Sequence, residues 1–448
     1  FFFYLFLIIS LLLSDFFLES ALNVFSYIRF ILFPFAIFEI LKKNKKNLKF
    51  IFLILLITII VVVLDGYYQF IYDINFLGYE KYRIDRISGF FKDDLILGSY
   101  LSRLSPLFIA LIIFFKDDKK LTLFSLLVFF ITYVLIFLTG ERAPFLTASL
   151  ALLIIVISLR GFFYPKLALF VAAVFVIISF IFLNPTILDR HITQLKNHIV
   201  SSEETRGLEI RENKIFPYYM PMFKTSLKMF NDNKLFGQGP KSYRYSCDKE
   251  KFITYFPTPI KLNNTIIKLT NHWKVQNNID IVEFFFKEGD IIEKGDKILT
   301  FKYIGNDDLN VFFSTKEGRI DKIIIKDPYI SGEVVMKITP QYSPKFLLLK
   351  KNACNTHPHN FYIQLLAEVG LVGFVFIFGL FIYLLYLLVI KRKSFSNSEI
   401  CILAGFFITL WPLTTNGNFF NNWINLISFY PLGFLLYMLS IKNKRMVK

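Results

Sequence analysis

The sequence predicts an all-α integral membrane protein of about ten visible transmembrane helices, with one large outer loop that carries a small all-β insertion. Two observations predict this class. The 448 residues are 55% hydrophobic and include 56 Phe, above the roughly 45–50% apolar share of soluble domains. The excess lies in long runs, which suit a bilayer rather than a soluble core. The net charge of +17 is carried largely in short clusters between those runs, where Lys and Arg act as topology signals.

In chain order the candidate spans are 1–13, 24–41, 49–65, 96–115, 120–138, 143–159, 165–183, 370–390, 398–415 and 424–441. Most approach the roughly 20 residues that cross the hydrocarbon core. Backbone polar groups in lipid must be satisfied within the segment, so these runs are read as helices. The first run is short and starts at Phe1 rather than Met, so we expect part of the N-terminus to be missing. Neither a basic n-region nor a small-residue cleavage site marks that run as a signal peptide.

The basic clusters are Lys42, Lys43, Lys45, Lys46 and Lys49; Lys116, Lys119 and Lys120; Lys391, Arg392 and Lys393; and Lys442, Lys444, Arg445 and Lys448. With an inside N-terminus, 42–48, 116–119, 160–164, 391–397 and 442–448 all fall in the cytoplasm. Every one of them carries Lys or Arg, as the positive-inside rule requires. The segments 14–23, 66–95, 139–142, 184–369 and 416–423 then lie outside. We expect an N-terminal bundle over 1–183, an outer loop over 184–369 and C-terminal helices over 370–448. The spans look nearly free of interior charge, with no need for an intramembrane ion pair. No basic groove with interleaved aromatics is visible, which argues against nucleic acid as a partner.

Within the outer loop, 249–353 changes character. It alternates β-rich runs with glycine turns, VEFFFKEGDIIEKGDKILTF (282–301) and VFFSTKEGRIDKIIIKDPYISGEVVMKI (311–338), and the KEG pair at Gly289 and Gly318 suggests two related halves. This resembles a biotinyl/lipoyl-type barrel-sandwich hybrid. Carriers of that type show a modifiable Lys at the tip of the central hairpin, but here the tip reads GNDD (305–308). A swinging arm is therefore not expected; a module that contacts acceptor glycan or a partner, or a filler domain, is. Cys247 and Cys354 flank the segment on the outer face, where disulfides persist, and we expect them to pair. Cys401 lies in a span as inert packing.

Five stretches carry a wider resemblance: RISGFFKDDLILGSYL (86–101), LTGERAPF (138–145), LFGQGPKSYR (235–244), THPHNFYIQLLAEVGLVGF (356–374) and TNGNFFNNW (415–423). In this order, and on one face, they resemble the O-antigen ligase and polymerase family; apart from 249–353 they cover nearly the whole chain. The resemblance implies a GT-C type glycosyltransferase in lipopolysaccharide biosynthesis, multi-pass in the bacterial inner membrane with its site facing the periplasm. It implies a glycan donor on undecaprenyl diphosphate, and as acceptor either lipid A core (ligase) or another lipid-linked glycan (polymerase). No metal or cofactor is implied.

The diphosphate leaving group calls for fixed cations, and the planar guanidinium binds phosphate oxygens in pairs. Arg142 is the first candidate, Arg206 or Arg211 the second and Arg244 the third. His359 matches the family's functional histidine and has the pKa range either to accept the acceptor hydroxyl proton or to bind the diphosphate, while His357, which shapes the loop, and Asn360 are expected on the substrate-binding side. Where the family commonly has Ser before the arginine, this chain has Glu141, which either orients Arg142 or weakens its hold on phosphate. Other readings stay open: a purely structural histidine pair, an H-x-H metal site (two ligands, short of the usual three or four), a flippase for the same lipid, and a non-catalytic assembly factor.

Overall fold

The computed structural model describes residues 1–44, 46–81, 86–158, 177–178, 190–191, 219–254, 265–268, 278–293, 295–305, 307–314, 317–326, 329–330, 334–339 and 353–446. The chain divides into two compact units, one of 1–200, 215–254 and 353–448, the other of 201–214 and 255–352.

The first unit is helical: α1 Phe2–Leu12, α2 Phe17–Ser26, α3 Ile28–Lys43, α4 Lys46–Tyr72, α5 Leu97–Phe114, α6 Lys119–Leu138, α7 Arg142–Ser158, α8 Met220–Asp232, α9 Phe361–Val389, α10 Asn397–Thr409 and α11 Asn422–Met446. Among the described residues six stretches are long and apolar enough to cross a membrane: 17–43 (α2 with α3), α4, α5, α6, α9 and 422–442 of α11. Helices α1, α7 and α10 are apolar but shorter. This is a helical multi-pass membrane protein. The expected span 165–183 lies outside the described residues except for 177–178.

Helix α5 forms the centre of the bundle and packs on α6, α7 and α10. Its Leu101, Leu104, Leu107, Phe108 and Leu111 are buried together with Ile400, Leu403 and Phe407 of α10. At Gly405 a Cβ would lie 3.0 Å from Pro106, so the small residue sets how closely those two helices approach. Gly433 of α11 does the same against Ile37 of α3. Close packing around small residues is the main source of helix association where lipid removes the hydrophobic drive.

The helices differ from the sequence expectation where polar residues are used inside them. Helix α4 runs on past 65 to Tyr72, because its two polar residues find partners. Asp65 Oδ1 accepts the Phe76 amide at 2.8 Å, and Gln69 Oε1 accepts those of Ser88 (2.9 Å) and Gly89 (2.7 Å). Both side chains are fully buried and hold the 73–96 loop onto the end of α4. Helix α9 starts at Phe361 rather than 370, since Asn360 caps it by accepting the amides of Tyr362 (3.0 Å) and Ile363 (3.1 Å). Asp65, Arg103 and Glu368 all sit within apolar helices, so interior charge is present where little was expected.

The second unit contains two four-stranded antiparallel sheets. β1 (Thr265–Lys268), β8 (Val334–Thr339), β6 (Gly318–Ile323) and β3 (Ile291–Ile292) form one, in that order; β5 (Asn310–Phe313), β4 (Lys297–Tyr303), β2 (Asn278–Phe284) and β7 (Tyr329–Ile330) form the other. Alternating residues from both sheets, among them Ile279, Leu299, Phe301, Ile320, Val335 and Ile338, share one core. Among the described residues the arrangement is two open sheets, not a closed barrel. Gly305 takes φ +92° at the β4–β5 tip.

Candidate functional site

The site is built where α5, α7, α9 and α11 begin, the end that the charge pattern assigns to the outside. Asn360 does more than cap α9. Its Nδ2 donates to the carbonyls of Pro412 (2.9 Å) and Thr414 (3.3 Å), which ties the segment after α10 to the start of α9. His359 precedes it at φ +59°, a left-handed conformation that non-glycine residues seldom hold and that costs roughly 1–3 kcal/mol unless the surroundings impose it. The Asn416 amide imposes it here, donating to the His359 carbonyl at 2.8 Å.

The two imidazoles lie side by side, 4.3 Å between ring centroids, and Tyr219 meets His359 edge-on at 5.9 Å. His357 Nδ1 is 2.9 Å from Thr356 Oγ, and His359 Nε2 is 3.4 Å from Asn355 Nδ2. Among the described residues buried His357 Nε2 makes no hydrogen bond of good geometry, although the Asn416 backbone stands close enough to the ring to oppose the fall of its pKa. Burial, and then the neighbouring His359, push the His357 pKa down to about 4; burial alone pushes His359 below its ordinary value. Both rings are therefore neutral near pH 7 and able to accept a proton. Among the described residues no group of three or more His, Cys, Asp or Glu comes together.

Arg244 stands beside this pair, close enough for its charge to lower His357 further. It lies on a single helical turn, Tyr243–Ser246, fixed by buried Glu368, whose Oε1 accepts the Tyr243 amide at 2.9 Å. The Arg244 Nε is buried without a hydrogen-bond partner among the described residues. Arg142, at the start of α7, donates from Nη1 to the Arg190 carbonyl (3.3 Å), while Arg190 Nε donates to the Gly140 carbonyl (3.0 Å). Arg206 and Arg211 lie outside the described residues.

The sequence reading missed Arg103. From α5 it donates to the Ser99 carbonyl (3.2 Å), to Ser99 Oγ and to Asn416 Oδ1 (3.2 Å), and its guanidinium lies 5.8 Å from the Trp423 ring. It lines a cavity of about 20 Å³ with Ala143, Pro144, Thr147 and Thr415, room for a water-sized group and too little for a diphosphate. Asn416 thus links Arg103 to the His359 backbone. The signal was legible: an ionisable residue inside an apolar span is by default a functional candidate, and GSYLSRL carries one.

Glu141 caps α5 from outside that helix. Its Oε1 accepts the Gly98 amide at 2.7 Å and its Oε2 that of Ser99 at 3.3 Å. Burial pushes its pKa up to about 7, against the opposing pull of Arg86, the two amides and Arg103.

The glycines of FGQGP serve a backbone clasp. Helix α9 breaks at Gly370 (φ +64°), and the 234–239 strand of loop lies in the break. Gln238 and Gly239 amides donate to the Ala367 (3.0 Å) and Glu368 (2.8 Å) carbonyls, and the Leu371 amide donates to Lys234 (2.8 Å). A Cβ on Gly237 would stand 2.6 Å from the Val369 amide nitrogen, and one on Gly370 2.6 Å from that of Phe236. Only glycine allows two backbones so close. Gln364 donates to Glu368 (2.8 Å) and accepts the Phe419 amide (2.8 Å), joining the clasp to TNGNFFNNW. Below it Cys247 and Cys354 are joined as a disulfide, with Cα atoms 5.1 Å apart.

Four of the five motif stretches are thus tied to one corner by named bonds, and the fifth clasps its frame. The corner offers cations, neutral proton acceptors and unmatched donors, which suits an anionic substrate and a reacting hydroxyl. A model of the O-antigen ligase family matches residues 126–267, a stretch that includes Arg142 and Arg244; the histidine pair lies beyond it. No curated protein and no solved structure matches the chain.

Proposed function

Starting from a chain that carries the O-antigen ligase domain over residues 126–267, we propose that it transfers a glycan from undecaprenyl diphosphate to a sugar hydroxyl of lipid A core. The site faces the periplasm, the chain sits in the bacterial inner membrane, and the fold is of the GT-C type. The observation that carries this reading is the set of unmatched nitrogens, Arg244 Nε and His357 Nε2, beside a strained and neutral His359.

His359 accepts the proton of the acceptor hydroxyl as the new bond from that oxygen to the anomeric carbon forms. The bond from that carbon to the diphosphate breaks, and the electron pair leaves with the lipid diphosphate. Arg244 holds the developing charge with a fixed guanidinium, and Arg142 adds charge from the start of α7. His357 and Asn360 shape the loop around the acceptor. These cations supply the charge that a divalent metal would otherwise supply, so the transfer is metal-independent.

The test is transfer in vitro with purified protein, undecaprenyl-diphosphate glycan and lipid A core in the presence of EDTA. Product that disappears in His359→Ala and Arg142→Ala supports the ligase. Longer glycans on the polyprenyl carrier, without lipid A product, move the acceptor to a second lipid-linked glycan and make the chain a polymerase. Neither product, from folded protein, sinks the transferase reading in favour of a flippase or an assembly factor.

A further inference from the structure

A cation inside an apolar helix needs a reason, and the bonds of Arg103 supply one. Its Nη1 donates to the Ser99 carbonyl at 3.2 Å and to Ser99 Oγ, while its Nη2 donates to Asn416 Oδ1 at 3.2 Å. The Trp423 ring lies 5.8 Å from the guanidinium. One planar fork thus joins the start of α5 to the loop after α10, 313 positions further along the chain.

Both ends of this bridge are anchored. On the α5 side Glu141 accepts the Gly98 amide at 2.7 Å and that of Ser99 at 3.3 Å, so the residue that receives Arg103 is itself held from outside the helix. On the other side the Asn416 amide donates to the His359 carbonyl at 2.8 Å, and His359 keeps its φ of +59°. A continuous path therefore runs from Glu141 through Ser99, Arg103 and Asn416 to the histidine backbone. The space beside Arg103 is about 20 Å³, room for a water-sized group, so neither a phosphate nor a sugar ring reaches the guanidinium. Arg103 acts through what it holds. A charged donor makes a stronger bond than a neutral one, and a backbone in a sparsely populated conformation persists only where its surroundings over-determine it.

Resting on the transferase reading above, we propose that Arg103 and Asn416 are a positioning pair that keeps His359 in its left-handed conformation and so aims its imidazole at the acceptor hydroxyl. Glu141 is the far anchor of the pair. Its oxygens, in the motif that also carries Arg142, serve the helix that carries Arg103.

The experiment uses full-length protein in lipid nanodiscs and reads transfer together with the reactivity of His359. Arg103→Met removes the fork and Asn416→Ala removes its acceptor. Each should lower kcat by about 10- to 100-fold with KM near the wild-type value, because a misaimed base slows the chemical step rather than binding. The double variant should lose no more than either single one, since both cut the same path. Losses that multiply in the double variant, or a raised KM with kcat intact, overturn the pair. Asn416→Asp keeps an acceptor for the fork and should retain most of the activity. Arg103→Lys has no fork to span Ser99 and Asn416 and should restore little; full activity there overturns the bridge in favour of charge alone.

Labelling with diethyl pyrocarbonate, mapped by mass spectrometry, reads His359 without any substrate. The ring should react faster in Arg103→Met and Asn416→Ala than in the wild type. The acid limb of kcat/KM should also rise towards roughly 6.5, because a ring released from burial regains its ordinary value. If Arg103→Met does not fold, Asn416→Ala still decides, since that half-buried side chain lies in a loop outside the helices. An unchanged labelling rate overturns the proposal. Faster labelling in the variants, with no transfer by the wild-type protein, would sink the transferase reading while the positioning stands.

Discussion

The clasp around Gly370 and the corner around His359 come from one continuous stretch of sequence, THPHNFYIQLLAEVGLVGF, yet they treat polar groups in opposite ways. At the clasp, amides and carbonyls of 234–239 pair with those of 367–372, and Gln364 and Glu368 bind each other and two further amides. At the corner, nitrogens of Arg244 and His357 are buried without partners among the described residues, and His359 is held at a left-handed φ. A buried polar group left unmatched costs roughly 1–3 kcal/mol. The difference teaches that the frame uses its hydrogen bonds for rigidity, while the corner leaves polar capacity unused among the described residues.

The largest effect is expected from breaking the frame. Gly370→Ala places a Cβ 2.6 Å from the Phe236 nitrogen and forces a positive φ on alanine, at a cost of about 3 kcal/mol or more. Thermal melting in detergent should show the loss, and a wild-type melting temperature would remove the clasp's structural role. Next comes the corner. His359→Gly should lower transfer by ~10²–10⁴-fold without the loss of thermal stability that Gly370→Ala brings, because glycine accepts the left-handed backbone. If stability falls as far as at Gly370, the corner is frame as well and the contrast collapses.

Arg244→Gln should reduce kcat by about 10²-fold, the usual cost of one charge-stabilising donor, and Arg244→Lys should restore little because a point charge does not reproduce the guanidinium fork. Full activity in the lysine variant would argue for simple charge. The acid limb of kcat/KM against pH should lie below the ordinary imidazole value of about 6.5, since burial lowers the His359 pKa; a limb at or above that value removes the neutral base.

The smallest effect concerns stability and pH, where two groups have opposite signs. His357 falls to about 4 in the folded chain, so protonation favours the unfolded state and stability drops as pH falls from about 6.5 towards 4. Glu141 rises to about 7, so its contribution is present below the ordinary Glu value of about 4.3 and is lost as pH rises towards 7. Glu141→Gln should therefore steepen the loss of stability on acidification. A melting profile parallel to that of the wild type would show that the two do not oppose each other.

Much of the helical class was legible, because long Phe-rich runs and basic clusters are one-dimensional signals. The motif stretches were also visible, and the structure brings most of them to one corner. What the sequence hid was which polar residue meets which. Asp65 and Gln69 read as the end of a span, but their partners at 76, 88 and 89 keep the helix going. Glu141 read as a neighbour of Arg142, yet its oxygens bind amides of α5 some forty positions earlier in the chain. The glycines of FGQGP read as a turn near the bilayer, while their reason lies at 368–370, beyond the β unit. Pairings over such sequence distances leave no periodicity to detect.

The seam of the first unit has one more consequence. The chain leaves it at Thr254 and returns at Ala353, whose amide donates to the Thr254 carbonyl at 2.8 Å, and the Cys247–Cys354 bond lies next to that junction. Departure and return are therefore stitched together by the bundle itself. The bundle closes this crossing with its own bonds and asks nothing of 255–352 to do so, while 201–214 joins the second unit through a separate crossing of the chain.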